Sequence, residues 1–268
     1  MTRPFGISIL TAAQLVGLRH FLSDTLGIDD AFGAAHALGF GVQMLPLATR
    51  SCSDRQFGAM LRAAKMFNVN IMSYEDRWGG SNPLHPITKD LRDGQLKAVI
   101  AYYLLFPWRY QGVQRRIELL QQCFPQAVAV DLPGGPVEID LHKGSFEHWV
   151  GWLSTDEARE RGVVLDTHHL LGFGPAGSLM AFHQGVRLLQ LVHEHNVPVK
   201  LIHVQFRDRD TLAAFDSVGE RGATGLLYEM RWLPEVTAST PVIIELTPEL
   251  TTPESLRQLR DTVEEILA

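Results

Sequence analysis

Eight apolar runs, each separated from the next by a stretch with helical periodicity, constrain this chain more than any other feature. The runs are Phe5–Leu10, Gly41–Pro46, Val69–Tyr74, Lys97–Phe106, Ala127–Leu132, Val163–Asp166, Val199–Val204 and Val242–Leu246. They read as continuously apolar rather than alternating, as expected of strands covered on both faces. Helical spacing fills the intervals. The expected helices run from Thr11 to about Leu26, from Asp29 to Leu38 and from a cap at Ser53 or Asp54 through Met66. Further ones are expected at Thr88–Gln95, Gln111–Cys123, Ser145–Arg161, Ala176–His195, Glu229–Val236 and Pro253–Leu267, the last capped by Thr252. Strand and crossover helix in alternation is the signature of a parallel sheet. No Ser/Gly-rich linker divides the 268 residues, and ~250 residues is the usual size of an α/β barrel. The prediction is a single (β/α)8 TIM barrel domain over residues 1–268. A doubly wound open sheet is the alternative; no G-x-G-x-x-G follows the first run, which weakens its dinucleotide-binding form.

A formal charge of −6 and a pI near 6.0 argue against nucleic acid as a partner, because phosphate backbones call for a basic stripe. Cys52 and Cys123 show no zinc spacing and no disulfide framework. Met1-Thr2-Arg3-Pro4-Phe5 does not read as a signal peptide, and the apolar run from Ala98 to Trp108 is too short to span a bilayer. A reducing cytoplasm and no membrane partner are the expectations. The closing helix suits a homodimer contact as well as it suits solvent.

In a barrel of this kind, chemistry sits at the C-terminal ends of the strands. Those ends carry Gln43, Glu75, Asp131, Asp166 with His169, His203 with Gln205, and Glu245. Any one carboxylate after a strand is commonly just the cap of the next helix. Several converging on one mouth are costly unless they share a cation or a proton. His203 and Gln205 share a strand face, with His203 ~6–7 Å deeper from a rise of ~3.3 Å per residue. Trp78, Trp108 and Arg109 suit a lid or a platform for a sugar ring, and core packing or solvent contact explains them equally well.

The order of these elements resembles the xylose isomerase-like barrels, the superfamily of sugar-phosphate isomerases, ketose epimerases and apurinic-endonuclease relatives. Gly39-Phe40-Gly41-Val42-Gln43 resembles the second-strand entry, which usually ends in Glu. Leu165-Asp166-Thr167-His168-His169 is similar to the D-x-x-H of the sixth strand. Ile202-His203-Val204-Gln205-Phe206-Arg207-Asp208 resembles the seventh strand, and Pro241-Val242-Ile243-Ile244-Glu245 the last. The resemblance implies a divalent cation held by Asp131, Asp166, Gln205 and Glu245. Asp131 stands where a Glu is usual, and Gln205 where a His is usual. Two or three carboxylates and an amide oxygen point to Mn²⁺ or Mg²⁺. The implied activity is isomerisation or epimerisation of a small polyhydroxy carbonyl compound by enediolate proton transfer. Asp131 and Glu245 are the implied acid/base pair, and His169, His203, Glu75, Gln43, Arg207 and Trp78 the substrate-binding residues. The Gln43 and Gln205 departures favour an alternative, a barrel that has lost catalysis and binds a ligand or partner. An apurinic-endonuclease-like nuclease is a third reading, disfavoured by the acidic balance and by too few strand-end histidines.

Overall fold

A computed structural model describes residues 3–17, 26–45, 53–75, 107–174, 178–206, 222–246 and 250–268. Its strands form one eight-stranded sheet in the order β4-β3-β2-β1-β8-β7-β6-β5, and the paired strands run parallel. Helices alternate with these strands along the chain, except that β4 passes to β5 through a turn. The fold is a (β/α)8 barrel, as the run-and-helix pattern predicts. No helix among the described residues is long and apolar enough to cross a membrane.

The chain divides into two compact units, Ser8–Gly135 and Met1–Ile7 with Pro136–Ala268. β1 (Phe5–Ser8) leads into the first of these, which holds α1 (Ile9–Leu15), α2 (Leu26–Ala37), β2 (Gly41–Met44), α3 (Asp54–Met66), β3 (Ile71–Glu75), α4 (Pro107–Cys123) and β4 (Val128–Val130). Ser8, rather than Thr11, caps α1, its side chain accepting from Thr11 N. Ser53 caps α3 in a full capping box with Gln56, which satisfies two otherwise orphaned donors. α4 begins at Pro107, four residues before the expected start, because proline is tolerated in a first helical turn. The run expected at Ala127–Leu132 pairs directly with β3, Tyr74 against Ala129, so it takes the place beside the third strand. The strand expected at Lys97–Phe106 and the helix expected at Thr88–Gln95 lie outside the described residues.

The other unit continues with β5 (Val137–Glu138), α5 (Phe146–Leu153), α6 (Asp156–Arg161), β6 (Val163–Asp166), α7 (Thr167–Leu170), α8 (Leu179–Glu194), β7 (Val199–Phe206), α9 (Ala223–Met230), β8 (Val242–Leu246) and α10 (Pro253–Leu267). β5 corresponds to none of the eight expected runs. It is two residues long with one apolar side chain, below what apolar run length detects. The helix expected over Ser145–Arg161 is two helices, because Thr155 caps a new one by accepting from Ala158 N at 3.2 Å. Thr252 caps α10 as expected, with Pro253 at its start. Leu256, Leu259, Val263 and Ile266 form the buried stripe of that helix.

Register places the polar residues. β6 pairs with β7 so that Asp166 lies beside His203, and β7 pairs with β8 so that Gln205 lies beside Glu245. β5 pairs with β6, Glu138 beside Val164. Gly162 sets the start of β6 at φ +77°, and a Cβ there would sit 2.6 Å from Pro198 O. Gly162→Ala is therefore expected to cost about 1–3 kcal/mol of stability, read as a lower urea midpoint with unchanged slope.

Candidate metal centre

Asp166 is the last residue of β6 and also the N-cap of α7. Its Oδ1 accepts from His168 N at 2.7 Å and His169 N at 3.2 Å. One oxygen of Asp166 therefore serves as a helix cap, and the other is left to face its neighbours in the sheet. Oδ2 faces inward, where Gln205 Nε2 donates at 2.9 Å, His203 Nδ1 lies at 3.7 Å and His169 Nε2 at 3.8 Å. Asp166 is 0 % exposed and His203 1 % exposed, so these contacts work with little solvent screening.

β5 supplies the next carboxylate. Glu138 is fully buried, with Oε1 3.1 Å from His203 Nδ1 and Oε2 2.9 Å from Lys143 Nζ. Two residues on, Asp140 lies 3.3 Å through Oδ1 from His169 Nδ1, and the same oxygen accepts from His142 N at 2.8 Å. Glu138, Asp166 and His203 offer ligand atoms that all lie within 4.8 Å of one another, and so do Glu138, Asp140 and His169. Buried carboxylates and imidazoles gathered at this spacing can hold a divalent cation. His169 Nε2 supports that fit: it is buried, has no hydrogen-bond partner among the described residues, and faces Asp166.

Burial alone would raise the Glu138 carboxyl. The Lys143 ammonium, then the His203 hydrogen bond and the charges of His203 and His169, outweigh burial and hold it well below the usual carboxylate range. Burial would lower His203, yet hydrogen bonds to Asp166 and Glu138 and the charges of Glu245 and Glu138 push it well above its ordinary 6.5. His169 moves the same way, against burial, through its bond to Asp140 and the charges of Asp166, Glu138 and Asp140. Asp140 is lowered despite burial by the His169 hydrogen bond and charge, the His142 amide and Lys143. Without a cation, the acids thus draw protons onto the imidazoles.

The residues singled out in the sequence fall into three groups. Asp166, His169, His203, Gln205 and Glu245 come together. Gln205 presents its amide nitrogen where an oxygen was expected, donating at 2.9 Å to Asp166 Oδ2 and at 2.8 Å to Glu245 Oε2. An amide N–H₂ has two protons, and both find a carboxylate here. Its backbone N also donates to Thr167 Oγ1 at 3.2 Å. Asp131, Glu75 and Gln43 belong to the other unit, Asp131 in the turn after β4 at φ +59°, Glu75 and Gln43 buried in β3 and β2. Arg207 and Trp78 lie outside the described residues, as do Trp108 and Arg109 for their side chains.

Glu138, Asp140 and Lys143 did not emerge from the sequence. The fifth-strand acid beside Asp166 and His203 is Glu138, one methylene longer than Asp131. The available signal was the alternation Val137-Glu138-Ile139-Asp140, which sets two acids on one face at i and i+2. A comparison of the chain with protein-family models and with curated proteins finds no match.

Proposed function

We propose that this protein is a divalent-metal-dependent isomerase or epimerase of a small polyhydroxy carbonyl compound, akin to the xylose isomerase-like barrels its sequence resembles. The observation that carries the reading is the buried Glu138–Asp166–His203 group at neighbouring strands of the barrel. Glu138, Asp166 and His203 would hold the cation, with Glu245 and His169 beside them. An imidazole among the donors favours Mn²⁺ over Mg²⁺, which prefers oxygen and retains water. When bound, the cation polarises a substrate carbonyl and its neighbouring hydroxyl, so that the carbon between them becomes acidic.

The protein's own groups do the rest. Glu245 is half-buried, the most open carboxylate of the set, and takes the carbon-bound proton. Gln205 orients it through the 2.8 Å bond to Oε2 and spreads the same amide to Asp166, which fixes the two acids relative to each other. His169, held at Nδ1 by Asp140, presents Nε2 for a substrate hydroxyl.

A second reading has its own support. Lys143 and protonated imidazoles offset the charge of the acids from within, and Gln205 hydrogen-bonds two of them, as a barrel that binds a ligand or partner without metal or catalysis would require. Metal analysis separates the two. After loading with Mn²⁺ and desalting, the parent should retain about one ion per chain, and Asp166→Asn and Glu138→Gln less than about a tenth of that. Solvent deuterium should enter the carbon next to the carbonyl of an accepted sugar, and Glu245→Gln should slow that exchange by about 10²–10⁴-fold. A parent that retains no ion leaves the binding reading in possession.

A further inference from the structure

We propose that Lys143 is the site's built-in second cation, whose ammonium holds the Glu138–Asp140–His169 group and so limits the centre to a single metal ion. The inference rests on the metal-dependent reading above and concerns how many ions that centre takes.

Two donor groups share one carboxylate. Glu138 belongs to the group with Asp166 and His203 and to the group with Asp140 and His169. All five residues are buried, and a carboxylate common to two such groups is suited to a pair of ions ~3.5–4 Å apart. The two oxygens of Glu138 have different partners: Oε1 meets His203 at 3.1 Å, and Oε2 meets Lys143 Nζ at 2.9 Å. The Glu138 oxygen that His203 leaves open, the one a second ion would draw on, is therefore already engaged by a positive charge. His169 lies 3.3 Å through Nδ1 from Asp140 Oδ1, while its Nε2, buried and without a hydrogen-bond partner among the described residues, faces Asp166 Oδ2 at 3.8 Å.

Local structure keeps Lys143 in that place. The turn after β5 closes with Lys143 N and Gly144 N donating to Asp140 O at 3.0 and 3.2 Å. Trp149 Nε1 donates to the same carbonyl at 3.0 Å, and Asp140 Oδ1 accepts from His142 N. A Cβ at Gly144 would lie 2.2 Å from Cδ2 of the exposed His148, whose ring would have to turn aside. The Lys143 stem thus turns back over Glu138, and Nζ also lies 3.4 Å from Glu138 O. An ammonium supplies one charge and three donors without imposing a coordination geometry. A divalent ion at the same place would bring a second charge against the first ion and against Lys143 itself. The ammonium satisfies the carboxylate and excludes that ion.

Truncating Lys143 should open the second place. The parent, Lys143→Ala, Lys143→Arg and the double variant Lys143→Ala with Asp140→Asn are each loaded with Mn²⁺, desalted, and analysed for bound manganese and by electron paramagnetic resonance. We expect about one ion in the parent and in Lys143→Arg, about two with a spin-coupled spectrum in Lys143→Ala, and about one again in the double variant. If Lys143→Ala does not fold, Lys143→Gln, which keeps a donor and loses the charge, carries the same expectation. One ion in the uncharged variants, or two in the parent, overturns the role of Lys143 and leaves the single-metal reading intact. No ion in the parent removes that reading, and the present inference with it.

Discussion

Metal-free Asp166→Ala is expected to lose about 3–5 kcal/mol of folding stability, against the roughly 5–15 kcal/mol that a native domain possesses. Two separate losses combine in one residue. The cap of α7 disappears, and with it the acceptor for His168 N and His169 N, worth about 1 kcal/mol. The inward oxygen also disappears, leaving Gln205 Nε2 with one acceptor fewer and His203 with one buried carboxylate fewer. Asp166→Asn separates the two effects, because asparagine caps a helix as well as aspartate does but carries no charge. Urea denaturation in the presence of a chelator should place Asp166→Asn between the parent and the alanine variant, while both bind no metal. Equal stability of parent and Asp166→Ala would mean that the inward oxygen contributes nothing, and the centre would lose its keystone.

The second large effect is on pH. In metal-free protein, His203 and His169 have folded-state values above their ordinary 6.5. Their contribution to stability is complete below that value and is lost as pH rises through the raised ones. Glu138 and Asp140 are held below their ordinary 4.5 and 3.8. Their contribution is complete above those values and is lost as pH falls through the lowered ones. Metal-free stability should therefore be greatest between the carboxylate range and about pH 6.5, and should decline on the alkaline side. A bound cation reverses the alkaline limb, because coordination requires neutral imidazole and displaces its proton. Urea midpoints measured from about pH 5 to 9, with chelator and with saturating Mn²⁺, should diverge as pH rises, and His203→Gln should flatten the metal-free decline. A flat profile for the chelated parent across that range would show that the imidazoles carry no shared charge.

Both effects arise from residues the sequence identifies unequally well. Asp166, His203, Gln205 and Glu245 stand at or near the ends of apolar runs rich in Val and Ile, with His169 one turn beyond, where apolar patterning marks a strand and the polar residue that closes it. Glu138 stands in a strand of two residues, Val137–Glu138, which pairs with β6 and is recognised only through that pairing. Run length therefore pointed to Asp131, whose own run pairs with β3. The helix breaks were readable in part: Thr252 announces α10 plainly, whereas Thr155 inside a continuous helical pattern conceals a second cap.

What this sequence determined by itself is the alternation of strand and helix, hence the parallel barrel, and the placing of Asp166, His203, Gln205 and Glu245 at strand ends. The physical reason is local: hydrophobic period and capping chemistry act over a few residues. Only the tertiary structure decided which of those groups meet. Parallel register sets Asp166 beside His203 and Gln205 beside Glu245, and the turn after β5 folds Lys143 back onto Glu138. Partners 39, 40 and 65 residues apart are chosen by strand pairing across the sheet, which no local pattern encodes.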